Sequence, residues 1–146
     1  MAAQVKDVMN PQVVVAKPHA TIKEAAEIMS QMRIGSLLVM ENDKVLGIVT
    51  ESDIIGKIVA TKKDPEKVRV SDIMSSKVIS ISPEDDLQNA AEKMVENKIK
   101  RLPVIDSGKL VGIITATDLI SFEPKMIETL SELFSIKSQV GRTIAG

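Results

Sequence analysis

Apolar and polar residues follow one another along the chain in a pattern that predicts short strands followed by amphipathic helices. β-Rich runs at 13–16 and 78–81 each end close to a proline, which stops a strand from continuing inward. After Thr21 and Asp86, two residue types that cap helices well, apolar side chains recur at helical spacing. Thr21 is also followed by Glu24, which completes a capping box. Each half of the chain is therefore predicted to open with a strand and a helix.

Two further apolar runs follow each predicted helix, with a short polar turn between them. The turns lie at 41–44 and 107–109, and such turns between apolar runs are typical of β-hairpins. A last helix begins at Thr50 in one half of the chain and at Thr115 in the other. The predicted order of elements, β-α-β-β-α, therefore occurs twice.

The two halves are copies of one unit. An offset of 65 residues aligns 5–55 with 70–120 without a gap, so that VKDVM matches VSDIM and GIVTESDII matches GIITATDLI. Several differences exchange Val, Ile and Leu, which leaves those positions apolar. A duplication of this kind predicts an α+β fold made of two β-α-β-β-α units. We expect a pseudo-twofold axis to relate the units and a core to be shared between them.

On this pattern the chain divides into four segments. Residues 1–60 form the first repeat and 70–122 the second, and the charged segment 61–69 is predicted to be a linker. Residues 123–146 are predicted to contain a C-terminal helix, at 123–139, and a polar tail.

The apolar stripe of the 123–139 helix leaves two roles open. The helix would cover the protein's own core or a dimer interface, or it would dock on another protein. The sequence alone does not separate these roles. The stripe consists of Met126, Ile127, Leu130, Leu133 and Phe134.

Composition and charge exclude several classes of protein. The net charge is −1 and the only aromatic residues are two Phe, so the chain lacks the positive field and the stacking platform typical of nucleic-acid binding. The absence of Cys excludes disulfides, thiolate zinc sites and cysteine nucleophiles. No apolar run approaches the length of a membrane span, and the first residues lack the apolar region of a signal peptide. We expect a cytoplasmic protein without membrane association.

Catalysis is not supported by the residues. His19 is the only histidine and lies in a predicted exposed loop, so a metal site or a histidine-dependent triad lacks parts. The acidic run 84–86 precedes a predicted helix, where compensation of the helix dipole explains it. Neither a Walker A motif nor a G-x-G-x-x-G motif is present. We expect no enzymatic activity and no required cofactor or metal.

The repeated Gly-to-Asp turn has two interpretations. In one, the helix start after Gly47 and the hydroxyls of Thr50 and Ser52 favour a phosphate, and Asp53 accepts hydrogen bonds from hydroxyl groups of a ligand. In the other, Thr50 and Asp53 form a capping box that only fixes the start of a helix. The motif by itself leaves both interpretations open.

Together these features resemble tandem CBS domains, named from cystathionine β-synthase and often called a Bateman module. The resemblance is carried by VKDVM/VSDIM, by the prolines at 18 and 83, by IKRLPVID and by GIVTESD/GIITATD, and it covers roughly residues 1–122. It implies a disc-like pair of units that usually dimerises. It also implies that adenosine-containing ligands bind in clefts between the repeats and regulate an attached enzyme or channel, or a partner protein.

The resemblance implies that each cleft combines the Thr/Asp turn of one repeat with strand and basic residues of the other. One cleft would contain Thr50, Ser52, Asp53, Ile79, Ile81, Lys98 and Arg101. The opposite cleft would contain Thr115, Thr117, Asp118, Val14, Ala16 and Arg33. Because Gly35-Ser36 stands where the second repeat has Lys100-Arg101, we expect more positive charge in the Asp53 cleft. The Asp118 cleft would take a less charged ligand or stay empty, and a solvated basic rim remains the alternative role for Lys98 and Arg101.

These expectations describe a ligand-responsive regulatory module that forms a homodimer. Its ligand would be AMP, ADP, ATP or S-adenosylmethionine, and the sequence does not identify which. A ligand that bridges the repeats changes a dimer or partner surface if it binds one arrangement of them more tightly. The alternative is a constitutive dimerisation or adaptor protein with unoccupied pockets.

Overall fold

The computed structural model of the chain describes residues 2–134, so residues 135–139 of the predicted C-terminal helix lie outside the described residues. The first repeat contains α1 (Val5–Val8), β1 (Val15–Ala16), α2 (Ile22–Met32), β2 (Ser36–Glu41), β3 (Lys44–Thr50) and α3 (Glu51–Ile54), which continues as a π-helical turn, Ile55–Val59. The second repeat contains α4 (Val70–Ile73), α5 (Leu87–Asn97), β4 (Arg101–Asp106), β5 (Lys109–Thr115) and α6 (Ala116–Phe122). A 3₁₀ turn, Pro124–Met126, leads into α7 (Ile127–Phe134). The α+β fold with two similar units and a C-terminal helix is confirmed.

Both predicted hairpins are present, and they have the same register. Strand β2 pairs antiparallel with β3 and strand β4 with β5, with an irregularity between Val39 and Met40 that recurs between Val104 and Ile105. The turn after β2 places Asn42 and Asp43 at φ 51° and 64°, as the tight turns preferred in hairpins require. The predicted N-caps of α2 and α5, Thr21 and Asp86, are also confirmed.

The predicted opening strands are shorter than expected, and the second is not a strand. Only Val15–Ala16 of 13–16 pairs with β2, in parallel, and the run 78–81 contributes a single bridge from Ile81 to Val104. The difference between the repeats follows from Pro103, which occupies the position of Leu38. A proline has no N–H to donate, so the second repeat cannot form the bridge that corresponds to the one between Val15 and Leu38 in the first.

The repeats exchange their opening helices. Val5, on α1, is fully buried among core residues of the second repeat, and Val70, on α4, is fully buried in the core of the first. The Val5 N–H donates to the Asp85 carbonyl (2.8 Å), and the Val70 N–H donates to the Ala20 carbonyl (2.8 Å). The buried residues therefore form two clusters, one for each repeat, instead of the single shared core that we expected, and each cluster is completed by a helix from the other half of the chain.

The contacts made by the exchanged segments are symmetric between the two repeats. The bridge from Ile48 to Ser75 has a counterpart from Ile113 to Asn10, and the 65-residue offset relates the two bridges with the partners swapped. Reciprocal contacts of this kind are what a twofold axis produces. The contacts therefore agree with the predicted pseudo-twofold relation.

Helix α7 covers the second repeat. Leu130 is fully buried in the core of that repeat, and the Gln88 side-chain amide on α5 donates to the Thr129 hydroxyl (3.3 Å). The Lys100 ammonium lies 4.9 Å from the centre of the Phe134 ring. Of the two roles left open by the sequence, the described part of this helix fulfils the covering role.

Candidate ligand-binding cleft

A cleft lies at the pseudo-twofold axis between the repeats, with a cavity volume of about 190 Å³. Three pairs of equivalent residues face it from the two repeats, and its remaining wall comes from the first repeat alone. The equivalent pairs are Ser36 and Arg101, Leu38 and Pro103, and Ile48 and Ile113; the remaining wall contains Asn10, Gln12, Val13, Val14, Met32 and Ile34. The cleft is thus mostly apolar, with amide, hydroxyl and guanidinium groups among its lining side chains.

Arg101 supplies positive charge to this cleft. It starts strand β4, pairs in register with Thr115 of β5, and is half-buried. Its Nε is buried and has no hydrogen-bond partner among residues 2–134. Burial lowers the pKa of the Arg101 guanidinium, and the nearby carboxylate of Asp118 opposes that shift. A buried donor without a partner is costly, so an acceptor that reached this N–H group would stabilise the side chain.

The turn of the second repeat forms a capping box. The Thr115 N–H donates to Asp118 Oδ2 (3.1 Å), and the Asp118 N–H donates to Thr115 Oγ1 (3.0 Å). Thr117 is exposed at the start of α6. In the part of the chain that the structure describes, no hydrogen bond or ion pair is recorded for Asp118 Oδ1. One carboxylate oxygen of this turn is therefore left for another donor.

The turn of the first repeat forms the same capping box and one further interaction. Asp53 Oδ2 accepts from the Thr50 N–H (2.9 Å) and the Thr50 hydroxyl (3.1 Å). Asp53 Oδ1 lies 3.3 Å from the Lys57 ammonium, which also donates to the Ile73 carbonyl (2.9 Å). Ser52 is exposed. The capping interpretation of the motif is thus observed at both turns, and the first carboxylate has an internal cation as well.

The predicted grouping of Arg101 with Asp53 stays a prediction, and the contacts of Arg101 in the structure are with the turn of the second repeat. The structure places Arg101 beside Thr115 and Asp118 of its own repeat, in the same cleft as Val14. The reason is the antiparallel register of the hairpin, which sets the first residue of β4 opposite the last residue of β5. The guanidinium of Arg101 therefore lies on the Asp118 side, while the cation beside Asp53 is Lys57.

The other predicted site residues have different surroundings. The side chains of Ala16 and Ile81 are buried in the cores, and the Ile81 N–H and carbonyl bond to the backbone of β4. Ile79 packs against the core of the second repeat. Arg33 and Lys98 are exposed left-handed C-caps of α2 and α5, each with φ 55°, which fits a solvated basic rim. Of the predicted set, Val14 and Arg101 line the cleft.

Sequence reasoning missed two features of this region. Lys57 lies four residues after Asp53, a spacing at which ion pairs form on helices, so this pair was detectable. The cleft wall formed by Asn10 and Gln12 carried no signal, because these residues follow α1, whose exchange between the repeats was not foreseen.

The glycine of the repeated turn has a packing role. A Cβ at Gly47 would lie 2.6 Å from the Ser75 carbonyl oxygen, and one at Gly112 would lie 2.7 Å from Met9 Sδ and 3.0 Å from the Asn10 carbonyl oxygen. Both glycines thus permit the close approach of the segment that follows the exchanged helix. Their recurrence is explained without a ligand.

Two pseudo-symmetric α+β repeats with a cleft between them define a paired-repeat module. The family model for the CBS domain matches residues 5–60 and 70–125 of this chain. The chain therefore belongs to the CBS-domain family, with two CBS domains in tandem. Proteins built on such a pair are in general regulatory ligand-binding modules rather than enzymes.

Individual relatives agree with this assignment. The chain is 36% identical over 133 residues to an uncharacterized protein of Methanopyrus kandleri, covering 90% of this chain and 68% of the relative. It is 37% identical over 117 residues to the CBS domain-containing protein YhcV of Bacillus subtilis, covering 80% and 83%. Its structure resembles that of a hexameric CBS-CP12 protein from bloom-forming cyanobacteria, with a TM-score of 0.73 and 33% identity over 88% of this chain and 71% of that one.

The structure also bears on membranes and metals. Within residues 2–134, none of the helices is long and apolar enough to cross a membrane. The same residues contain no group of three or more His, Cys, Asp or Glu side chains arranged to hold a metal ion.

Proposed function

We propose that this protein is a regulatory module that binds an adenosine nucleotide in the cleft lined by Val14 and Arg101, on the side of the Asp118 turn. The observation that carries the proposal is the half-buried Arg101, whose Nε has no partner and whose side chain lines an apolar cleft between the repeats. A phosphate would supply the missing acceptor, and hydrogen bonds from arginine to phosphate are among the stronger ones in proteins.

The rest of the cleft suits the rest of a nucleotide. Val13, Val14 and Ile113 offer aliphatic surfaces for a base. The carboxylate of Asp118, whose charge acts on Arg101, would accept hydrogen bonds from a ribose diol. The cavity is smaller than the roughly 300–1,000 Å³ of drug-sized pockets, so the phosphates would extend toward solvent past Arg101. The guanidinium favours AMP, ADP or ATP over S-adenosylmethionine, because the latter carries a positive sulfonium in place of phosphates.

Occupancy of this cleft would be transmitted through the arrangement of the repeats. Because the cleft is lined by both repeats, a ligand in it stabilises the arrangement that it fits best. We propose a homodimer as the unit that reads this arrangement, with the apolar residues Ile55 and Val59, which are 62% and 66% exposed, as part of its contact surface. A partner protein that docks on the C-terminal helix is a second way in which the arrangement of the repeats would be sensed.

A constitutive dimerisation or adaptor protein is the second candidate function. It is favoured by the capping boxes, which already use both Thr/Asp pairs within the chain. Such a protein would self-associate tightly and show no response to any adenosyl ligand.

The test is scanning calorimetry of the full chain, alone and with AMP, ADP, ATP or S-adenosylmethionine. A nucleotide held at 100 times its dissociation constant is expected to stabilise the protein by about 2.7 kcal/mol. The variant Arg101→Met should weaken nucleotide binding about 10- to 100-fold, since a hydrogen bond to a charged group contributes about 1.5–3 kcal/mol. The control Lys63→Met removes an exposed cation that does not line the cleft and should leave affinity unchanged. No shift with any ligand, in protein free of copurified nucleotide, would support the adaptor instead.

A further inference from the structure

We infer that the chain binds one nucleotide and not two, because the Lys57 ammonium occupies the carboxylate of the first repeat's turn, whereas the second repeat leaves its carboxylate open. This inference rests on the proposed function. It assigns Lys57 as the residue that closes the site at the turn of the first repeat.

The carboxylate of Asp53 is engaged on both oxygens. Its Oδ2 accepts from the Thr50 N–H and hydroxyl, and its Oδ1 faces Lys57 Nζ at 3.3 Å. The Asp53 side chain is only 18% exposed, so this pair is partly shielded from water. A ribose diol would have to displace the ammonium or share the oxygen with it.

Lys57 is itself held in place. Its ammonium donates to the carbonyl of Ile73 at 2.9 Å, and Ile73 ends the exchanged helix α4 and is buried in the core of the first repeat. The lysine thus connects the turn to the exchanged helix by two charge-assisted interactions. Displacing it would cost both of them.

The second repeat lacks this arrangement. Phe122 stands at the position equivalent to Lys57, is 53% exposed and has no group that can pair with a carboxylate. No partner is recorded for Asp118 Oδ1 within residues 2–134, and the cation of this region, Arg101, lines the cleft. At the position of Arg101 the first repeat has Ser36, which has no charge to offer a phosphate. The second repeat thus has a free carboxylate oxygen and a cation lining the cleft, and the first repeat has neither.

Isothermal titration calorimetry with AMP on the full chain measures the stoichiometry. We expect one site per chain in the wild type, loss of that site in Asp118→Asn, and retention of it in Asp53→Asn. The double variant Ser36→Arg/Lys57→Met makes the first turn chemically similar to the second, and it should bind two equivalents. The matched control Ser36→Arg/Lys63→Met removes an exposed lysine outside the turn and should still bind one.

The outcomes separate this inference from the proposed function. No binding of AMP, and none of ADP or ATP in the same titration, would overturn the proposed function and this inference with it. Two equivalents in the wild type, or loss of the single site in Asp53→Asn instead of Asp118→Asn, would overturn the inference alone. Two equivalents in the control double variant, or one in a folded Ser36→Arg/Lys57→Met protein, would show that Lys57 does not close the site. If the double variant fails to fold, as judged by circular dichroism, the two Asp→Asn variants decide.

Discussion

At the scale of single residues, the recurring glycines Gly47 and Gly112 lie where an added methyl group would clash with neighbouring atoms. Gly47 lies under the Ser75 carbonyl, and Gly112 lies under Met9 and the Asn10 carbonyl. We expect Gly47→Ala to destabilise the protein by about 1–3 kcal/mol, because the new Cβ meets backbone that cannot move aside easily. Urea unfolding monitored by circular dichroism measures this change.

Gly56 is the matched control for that substitution. A Cβ there would meet nothing within 4 Å, and the residue lies in a helical turn. Gly56→Ala should therefore stabilise the protein, by up to about 1 kcal/mol, through the lower backbone entropy of alanine. A Gly47→Ala protein as stable as the wild type would mean that the segment after α4 does not pack closely against β3.

At the scale of the element, α7 is expected to be part of the second repeat's core. Leu130 is fully buried there, and Ile127, three residues earlier, is 53% exposed. Leu130→Ala should cost about 2–5 kcal/mol through lost burial and the cavity left behind. Ile127→Ala should change the stability by no more than about 0.5 kcal/mol. Thermal and urea unfolding of both variants test this, and equal small effects would assign α7 to docking instead of covering.

At the scale of the whole molecule, the exchanged helices predict that a mutation in α1 destabilises the second repeat and that a mutation in α4 destabilises the first. Val5→Ala should lower hydrogen-exchange protection in α5 and in the β4–β5 hairpin, and Val70→Ala should lower it in α2 and in the β2–β3 hairpin. Each change is expected to cost about 1–3 kcal/mol, because both side chains are fully buried. Protection lost equally in both repeats would mean that the two cores unfold as one unit.

Much of this protein could be determined from the sequence by itself. The duplication, the order of elements, the caps at Thr21 and Asp86 and both hairpin turns were predictable, because each depends on residues within a few positions of one another. The capping interpretation of the Thr50 and Thr115 turns was visible for the same reason. The family followed from these local patterns occurring twice at a fixed offset.

Other features were decided only by the tertiary structure. The exchange of α1 and α4, the division of the core into two clusters and the packing role of Gly47 and Gly112 all depend on contacts between residues far apart in the chain. The location of Arg101 in the Asp118 cleft likewise required the register of β4 against β5. Local periodicity specifies which face of an element is apolar. It does not specify which of two similar repeats will bury that face. That choice follows from the path of the chain and the packing of the assembled pair.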